Sequence, residues 1–322
     1  MVAEMDEVAR EFGLAVTGAA VAAVHEPAQL AEARPGAFTW VKAFDERTMA
    51  ALGRLRGVTV VVPPARTPAE AAALDAASRE NSLSVAENPR LAFARMLGRL
   101  FPHLELAVPA GIDPSARVDP TARIGRDVTI GAFCFVGQDV EVGDGTVLQP
   151  GVVVHSRTVI GRNCIIGSHA VLGQRGFGFV RAEDGSLVHF PQVGRVVLED
   201  DVEVKSCTVV DRPGLGETRI LRGSKVDNLC QVGHGARVGP HAVVAACAEL
   251  GASVVLGEGA WMGPDACSIE NVSIGKGAFV GVGAVVLRDV PDGAVVAGSP
   301  AEPIDVLTRA RRAVRKLVES EG

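Results

Sequence analysis

The sequence predicts a mainly-β protein: a prism of short parallel strands over residues 108–302, preceded by a small α/β domain over 1–107 and followed by a basic helix over 303–322. Three observations carry that reading. An aliphatic residue recurs at every sixth position from Ile112 onward. The chain has 37 glycines, only 4 % aromatic residues and no tyrosine, so its core must form in small, regular layers. Helical spacing and a buried-strand run alternate only in the first hundred residues.

Composition also narrows the function. A formal charge of −6 is too mildly acidic to suggest nucleic acid or an anionic membrane as the main partner. The six cysteines form no C-x-x-C pair, and five replace Ala, Val, Ser or Thr of other repeat units. They read as small buried side chains in a reducing compartment, with no disulfide frame and no metal site. The start, MVAEMDEVAREFGL, is acidic and helical rather than a signal peptide, and no run of about 20 apolar residues occurs. The expectation is a soluble, cytoplasmic protein without a cofactor.

In chain order, Val8, Phe12, Leu14 and Val16 begin a short helix followed by a strand. VTVVV at 58–62 is a buried strand closed by Pro63 and Pro64. Ala69 to Arg79 and Pro89 to Leu100 have helical spacing, the second with Asn88 as N-cap and Pro89 at the first helical position. GAFTWVKAF (36–44) concentrates Phe38, Trp40 and Phe44 in a chain otherwise poor in rings. These aromatics serve either as core packing or as faces that stack on a flat ligand ring, with Trp40 and Phe44 as the sandwich.

From Gly111 the six-residue period takes over, with Ile130, Val136, Val142, Leu148 and Val154 as typical members. It resumes after interruptions, is broken at Ser268 with Ile269 beside it, and ends at Val286. A period this short means a solenoid in which each unit supplies one strand and one corner. Three units close a triangular coil, giving roughly eight or nine stacked coils. The pattern resembles the left-handed parallel β-helix, an exception to the usual right-handed crossover. Two interruptions, 174–195 and 211–218, loop out from it, the first with a DGS hairpin turn.

The stretch VDNLCQVGHGARVG (226–239) carries the chemistry. His234 sits between two glycines, follows both interruptions, and has Asp227 seven residues earlier. A neutral imidazole with a carboxylate behind it is what a general base needs. The alternative is a metal site made by His234 with His155, His169 and His241, which no spacing demands.

The residues then carry a family resemblance. ENPRLAFARML (87–97), GQRGFGFVRAEDGSLVHFPQVGRVVLEDDVEV (173–204), CTVVDRPGLGET (207–218) and KVDNLCQVGHGARVG (225–239) resemble the UDP-3-O-(3-hydroxyacyl)glucosamine N-acyltransferases of lipid A synthesis. That resemblance implies a uridine-binding first domain, a left-handed β-helix, a C-terminal helix and a homotrimer. It implies transfer of a 3-hydroxyacyl chain from acyl carrier protein to the amine of a UDP-amino sugar. By position His234 matches the base, with Asp227 behind it and the Ala252 amide at the oxyanion. Ala245, Ala246 and Ala248 would floor an acyl groove, and Phe38, Trp40, Phe44, Phe177 and Phe179 would contact substrate. Arg309, Arg311, Arg312, Arg315 and Lys316 of the last helix would meet the acidic carrier. The sequence departs from the family in three places. Asn271 stands where a second histidine is expected, VKAF replaces the N-P-K-Y segment, and Pro213 replaces a glycine. An acetyl-CoA-dependent sugar acetyltransferase and an inactive scaffold are the competing readings.

Overall fold

The computed structural model describes residues 5–19, 21, 24–101 and 108–320. His103 lies outside them. The chain divides into two compact units, Met1–Ala107 and Val108–Gly322.

In the first unit, helix α1 (Met5–Glu11) leads into strand β1 (Ala15–Gly18), followed by β2 (Glu26–Pro27), β3 (Ala37–Trp40), α2 (Glu46–Leu52) and β4 (Thr59–Val62). Helix α3 (Pro68–Ser78), β5 (Ser82–Val85) and α4 (Pro89–Leu100) complete it. The sheet order is β1-β5-β4-β3-β2, antiparallel only where β1 meets β5. Every residue of β4 is buried, as expected of a parallel strand covered on both faces. Sequence signals set the helix starts. Thr67 and Glu70 form a capping box before α3, and Asn88 accepts a hydrogen bond from Leu91 N–H at 3.1 Å to start α4. Side chains alternate across β3, so Phe38 joins Val61 and Met96 in one core, while Ala37 and Val41 join Leu52 and Val60 in the other.

The second unit is a left-handed parallel β-helix. Its strands fall into three sheets of eight, ten and nine members, the walls of a triangular prism. Strands pair one coil apart, as Val147–Leu148 does with Ile165–Ile166. The aliphatic position of each unit points inward, and Ile130, Val136, Leu148, Ile166, Leu172, Ile220, Val232 and Leu250 are fully buried. At the first coil the rule lapses and Ile112 is 53 % exposed. Ser268 keeps the inward position after all: it is buried, its hydroxyl accepts from Gly251 N–H at 3.2 Å, and Ile269 is exposed. The period therefore runs unbroken there.

Each corner turns through one residue in the left-handed region. Non-glycine residues with φ of 53° to 63° recur six apart, for example Asp127, Phe133 and Asp139, with glycines such as Gly145 and Gly151 continuing the series. Short polar Asn and Asp tolerate this conformation best. Cys207 and Cys247 also hold these positions and are exposed, so two of the cysteines are not the buried side chains expected. Cys134, Cys164 and Cys230 are buried as expected. Their thiols donate to the Gln149, Glu199 and Ala245 carbonyls at 3.1 to 3.2 Å. Burial pushes the Cys230 thiol up to about 11, so it stays protonated and able to donate. Helix α5 (Ile304–Ser320) follows the last coil.

Candidate functional site

The three edges of the prism differ sharply in what they carry. One edge joins the wall containing Gln231–Val232 to the wall containing Arg237–Val238. Along it stack His155, both looped-out segments, His234, Ala252 and Asn271. Ser253 N–H donates to the His234 carbonyl at 2.9 Å, and Asn271 N–H donates to the Ala252 carbonyl at 2.8 Å. Residues that are 18 and 37 positions apart in sequence thus become neighbours on one line. Ala252 N–H has no acceptor among the described residues, which leaves it free for an oxyanion. Asn271 has a φ of 61°, the left-handed corner position that its residue type suits.

His234 is half-buried, and the first loop-out holds it in place. Gly176 packs on the ring: a Cβ there would lie 2.7 Å from His234 Cβ and Cδ2. Only glycine fits between the arm and the imidazole. The second loop-out is tied to the same corner by Thr218, whose buried hydroxyl donates to the Asp211 carbonyl at 2.6 Å and accepts from Gly235 N–H at 2.8 Å. The arm itself is an antiparallel hairpin of Phe179–Arg181 and Leu187–His189, turned at Gly185 with φ 83°. Phe177 is 87 % exposed and meets Phe179 edge-on at 5.0 Å. Both rings are open to a ligand.

Asp227 does not reach His234 within one chain. It lies on the next edge back, at the corner after Lys225–Val226, and its Oδ1 accepts from Asn228 N–H and Nδ2–H at 2.8 Å each. Seven residues is one repeat unit plus one, and one unit carries the chain only from one edge of the triangle to the next, a third of a turn. A cavity of ≈ 300 Å³ opens beside Asp227, lined by Val226, Val243, Ala245 and Trp261 among others. Ala245 therefore lines a groove, whereas Ala248 faces the prism core. The histidines proposed for a metal separate likewise: His155 and His234 share an edge, while His169 and His241 occupy the other two.

Asp211 is a residue that sequence reading passed over. Its buried carboxyl accepts from Gln231 Nε2–H at 2.8 Å, three residues before the histidine. Burial pushes it up to about 6, with the Gln231 hydrogen bond opposing. A raised carboxyl contributes stability that is full below about pH 4 and lost as pH rises through 6. Asp211→Asn keeps the Gln231 hydrogen bond and removes the titration. We expect the variant's advantage over the parent to grow from pH 4 to pH 7 by on the order of 2 kcal/mol. Urea midpoints at the two pH values read it, and a constant difference would refute the assignment.

In the first unit, a cavity of ≈ 510 Å³ is lined by Trp40, Lys42, Gln29, Thr48, Phe93 and Leu97, among others. Two of the expected rings are corrected here. Phe38 is fully buried and stacks on Phe93 at 4.7 Å, so it is core and offers no face to a ligand. Phe44 packs in the opposite core layer from Trp40. The ring beside Trp40 is Phe93 of α4, at 6.1 Å and 26°. Nothing in the 36–44 stretch could reveal a partner fifty residues away.

The fold and this edge define the class: a hexapeptide-repeat, left-handed β-helix protein. Part of the chain is similar to proteins that carry the name of the family its motifs resemble. The chain is 33 % identical over 149 residues to the UDP-3-O-acylglucosamine N-acyltransferase of Methylorubrum extorquens, covering 46 % of this chain and 42 % of that protein. It is 38 % identical over 131 residues to the enzyme of that name from Caulobacter sp., covering 41 % and 38 %. The chain thus spans about two-fifths of the length of the curated relatives it matches. A family model described as the GMPPB C-terminal domain matches residues 107–215. Among solved structures, UDP-N-acetylglucosamine acyltransferase from Campylobacter jejuni aligns with a TM-score of 0.54 at 22 % identity, over 60 % of this chain and 73 % of that one. That likeness supports the fold.

Proposed function

We propose that the protein is an N-acyltransferase that moves a 3-hydroxyacyl chain from acyl carrier protein to the 2-amine of a UDP-3-O-acyl-glucosamine, as its curated relatives' names suggest. The observation that carries this reading is the His234 edge, where a buttressed imidazole lies one coil from a free backbone amide. The amine nitrogen attacks the thioester carbonyl while His234 takes its proton. The Ala252 N–H steadies the oxyanion, the C–S bond breaks, and the imidazolium returns the proton to the leaving thiolate. In a homotrimer, Asp227 of the partner subunit orients the imidazole from across the cleft. The acyl chain lies along the groove of Val243, Ala245 and Trp261, beside that Asp227.

Two further assignments complete the proposal. The Trp40 cavity takes the uracil, with Lys42 at its rim. Helix α5 docks the acidic carrier through Arg311, Arg312, Arg315 and Lys316, which have no ion-pair partner among the described residues. Arg309 pairs with Asp305 at 3.2 Å and is less available. No helix among the described residues is long and apolar enough to cross a membrane.

The test is turnover with 3-hydroxyacyl carrier protein or acetyl-CoA against a panel of UDP-amino sugars. Activity with acetyl-CoA alone would favour a sugar acetyltransferase, and no turnover with any donor a scaffold. Co-expressing His234→Ala and Asp227→Ala chains checks the shared site, since mixed trimers should regain activity that neither variant has alone. Trp40→Ala should weaken UDP binding about tenfold by calorimetry, the loss of one stacked base. Unchanged affinity would remove uracil from that cavity.

A further inference from the structure

Six of the thirteen arginines between residues 108 and 302 pair with a carboxylate among the described residues. Arg126 pairs with Asp144, Arg162 with Asp200, Arg195 with Glu217, and Arg219 with Glu199 and Glu217. Three of the unpaired ones gather at the His234 edge and its arm. Arg157, Arg175 and Arg212 have no carboxylate within ion-pair distance among the described residues.

Arg212 is the central one. It is half-buried, and its guanidinium makes one hydrogen bond, Nε–H to the Gly173 carbonyl at 2.6 Å. Both terminal amino groups are left without an acceptor among the described residues. Burial, then the nearby charge of Arg157, lowers the Arg212 pKa. His155 feels the same crowding, its pKa lowered by burial and then by Arg212. Arg157 is fixed beside the arm, donating Nη2–H to the Val193 and Gly194 carbonyls. Two cations held together with no counter-charge are costly, and each cost falls when an anion enters.

Their position points at the reaction. Val210 pairs with Val232, so the coil that leads into Arg212 is the one next below the coil that carries His234, about 4.8 Å along the prism axis. Both touch Gly176: its N–H donates to the Arg212 carbonyl at 3.2 Å, and its Cα packs on the His234 ring. The carbonyl and the ring are thus fixed to the same residue.

We propose that Arg212 and Arg157 form an anion-binding site at the foot of the arm that holds a phosphate group of a bound substrate beside His234. The guanidinium fork suits phosphate oxygens in a bidentate pair. Two sources share that chemistry if the acyl-transfer reading holds: the diphosphate of the sugar nucleotide and the phosphodiester of the donor's pantetheine arm. The site itself does not depend on which.

The experiment measures binding of three probes by calorimetry to the full-length protein and to Arg212→Gln and Arg157→Gln, with melting temperatures as a folding control. The probes are inorganic pyrophosphate, UDP and 4′-phosphopantetheine. Pyrophosphate should bind the parent and lose at least tenfold in affinity in each folded variant. No pyrophosphate binding by the parent, or equal binding by parent and variants, overturns the site. A selective loss for UDP assigns the phosphate to the nucleotide, and a selective loss for phosphopantetheine assigns it to the donor. An equal loss for both would mean a diffuse field and also overturns the site. If the parent binds pyrophosphate but neither UDP nor phosphopantetheine, the acyltransferase reading fails and the anion site stands. Arg212→Lys, which keeps the charge without the fork, should recover only part of the affinity.

Discussion

His234→Ala is expected to lower turnover by about a thousandfold and to leave the melting temperature unchanged within a degree or two. The size follows from general-base catalysis, worth about 10² to 10⁴ in rate. The unchanged stability follows from the position: the side chain projects from a corner, and the coil is held by the Gly235 N–H to Thr218 and Ser253 N–H to His234 carbonyl bonds, which alanine preserves. The control separates chemistry from binding. If His234 is the base, kcat falls and KM for either substrate moves little. A fall seen in KM alone would make the imidazole a binding group. Near-parental turnover would remove it from the mechanism.

Leu250→Ala should cost about 2 to 5 kcal/mol, the range for deleting a fully buried leucine. Leu250 is completely buried on the prism axis and paired in register with Val232 of the coil below. A solenoid offers little repacking, because each coil touches only its neighbours. The loss should therefore be local. Hydrogen exchange should rise in the coils of Val232, Leu250 and Ser268, while β4 and β5 in the other unit keep their protection. Uniform loss of protection throughout the chain would contradict that reading. The coil also positions His234 and Ala252, so turnover should fall with the local opening.

What the sequence made legible follows from what is periodic. Inward aliphatics announce themselves every six residues, and the hairpin and helix caps are local chemistry, so the architecture could be read directly. The Ser268 lapse was misread because hydropathy alone sees a polar residue, whereas the structure pairs its hydroxyl with Gly251 N–H. Cys207 and Cys247 were misread because φ is invisible in a composition count. The relation of Asp227 to His234 could have been found by arithmetic, since neighbours on one edge are separated by whole coils and not by seven residues. Phe93, Asp211 and Arg212 were beyond reach. Their roles rest on contacts made by distant chain segments and on the absence of a counter-charge, neither of which has a local signature. Asn271 belongs between these cases. Its type is explained by the corner it turns, and its place two coils above His234 keeps it on the same edge.

The register of the two loop-outs has an evolutionary consequence. An ordinary pair of stacked strands is offset by 18 residues, as Val147 is from Ile165. Across the first loop-out Val159 meets Val197, an offset of 38 and an excess of 20. Across the second, Val209 meets Gln231, an offset of 22 and an excess of 4. Neither excess is a multiple of six, yet the inward positions on both sides stay in phase, because the extra residues leave the wall entirely. The prism behaves as a dial with three settings. Added chain absorbed into the wall as one six-residue unit would rotate everything after it by a third of a turn, parting His234 from the arm that braces it. Lineages can therefore lengthen this protein by whole coils or by bulges, and any intermediate change would scramble the site while leaving the fold intact.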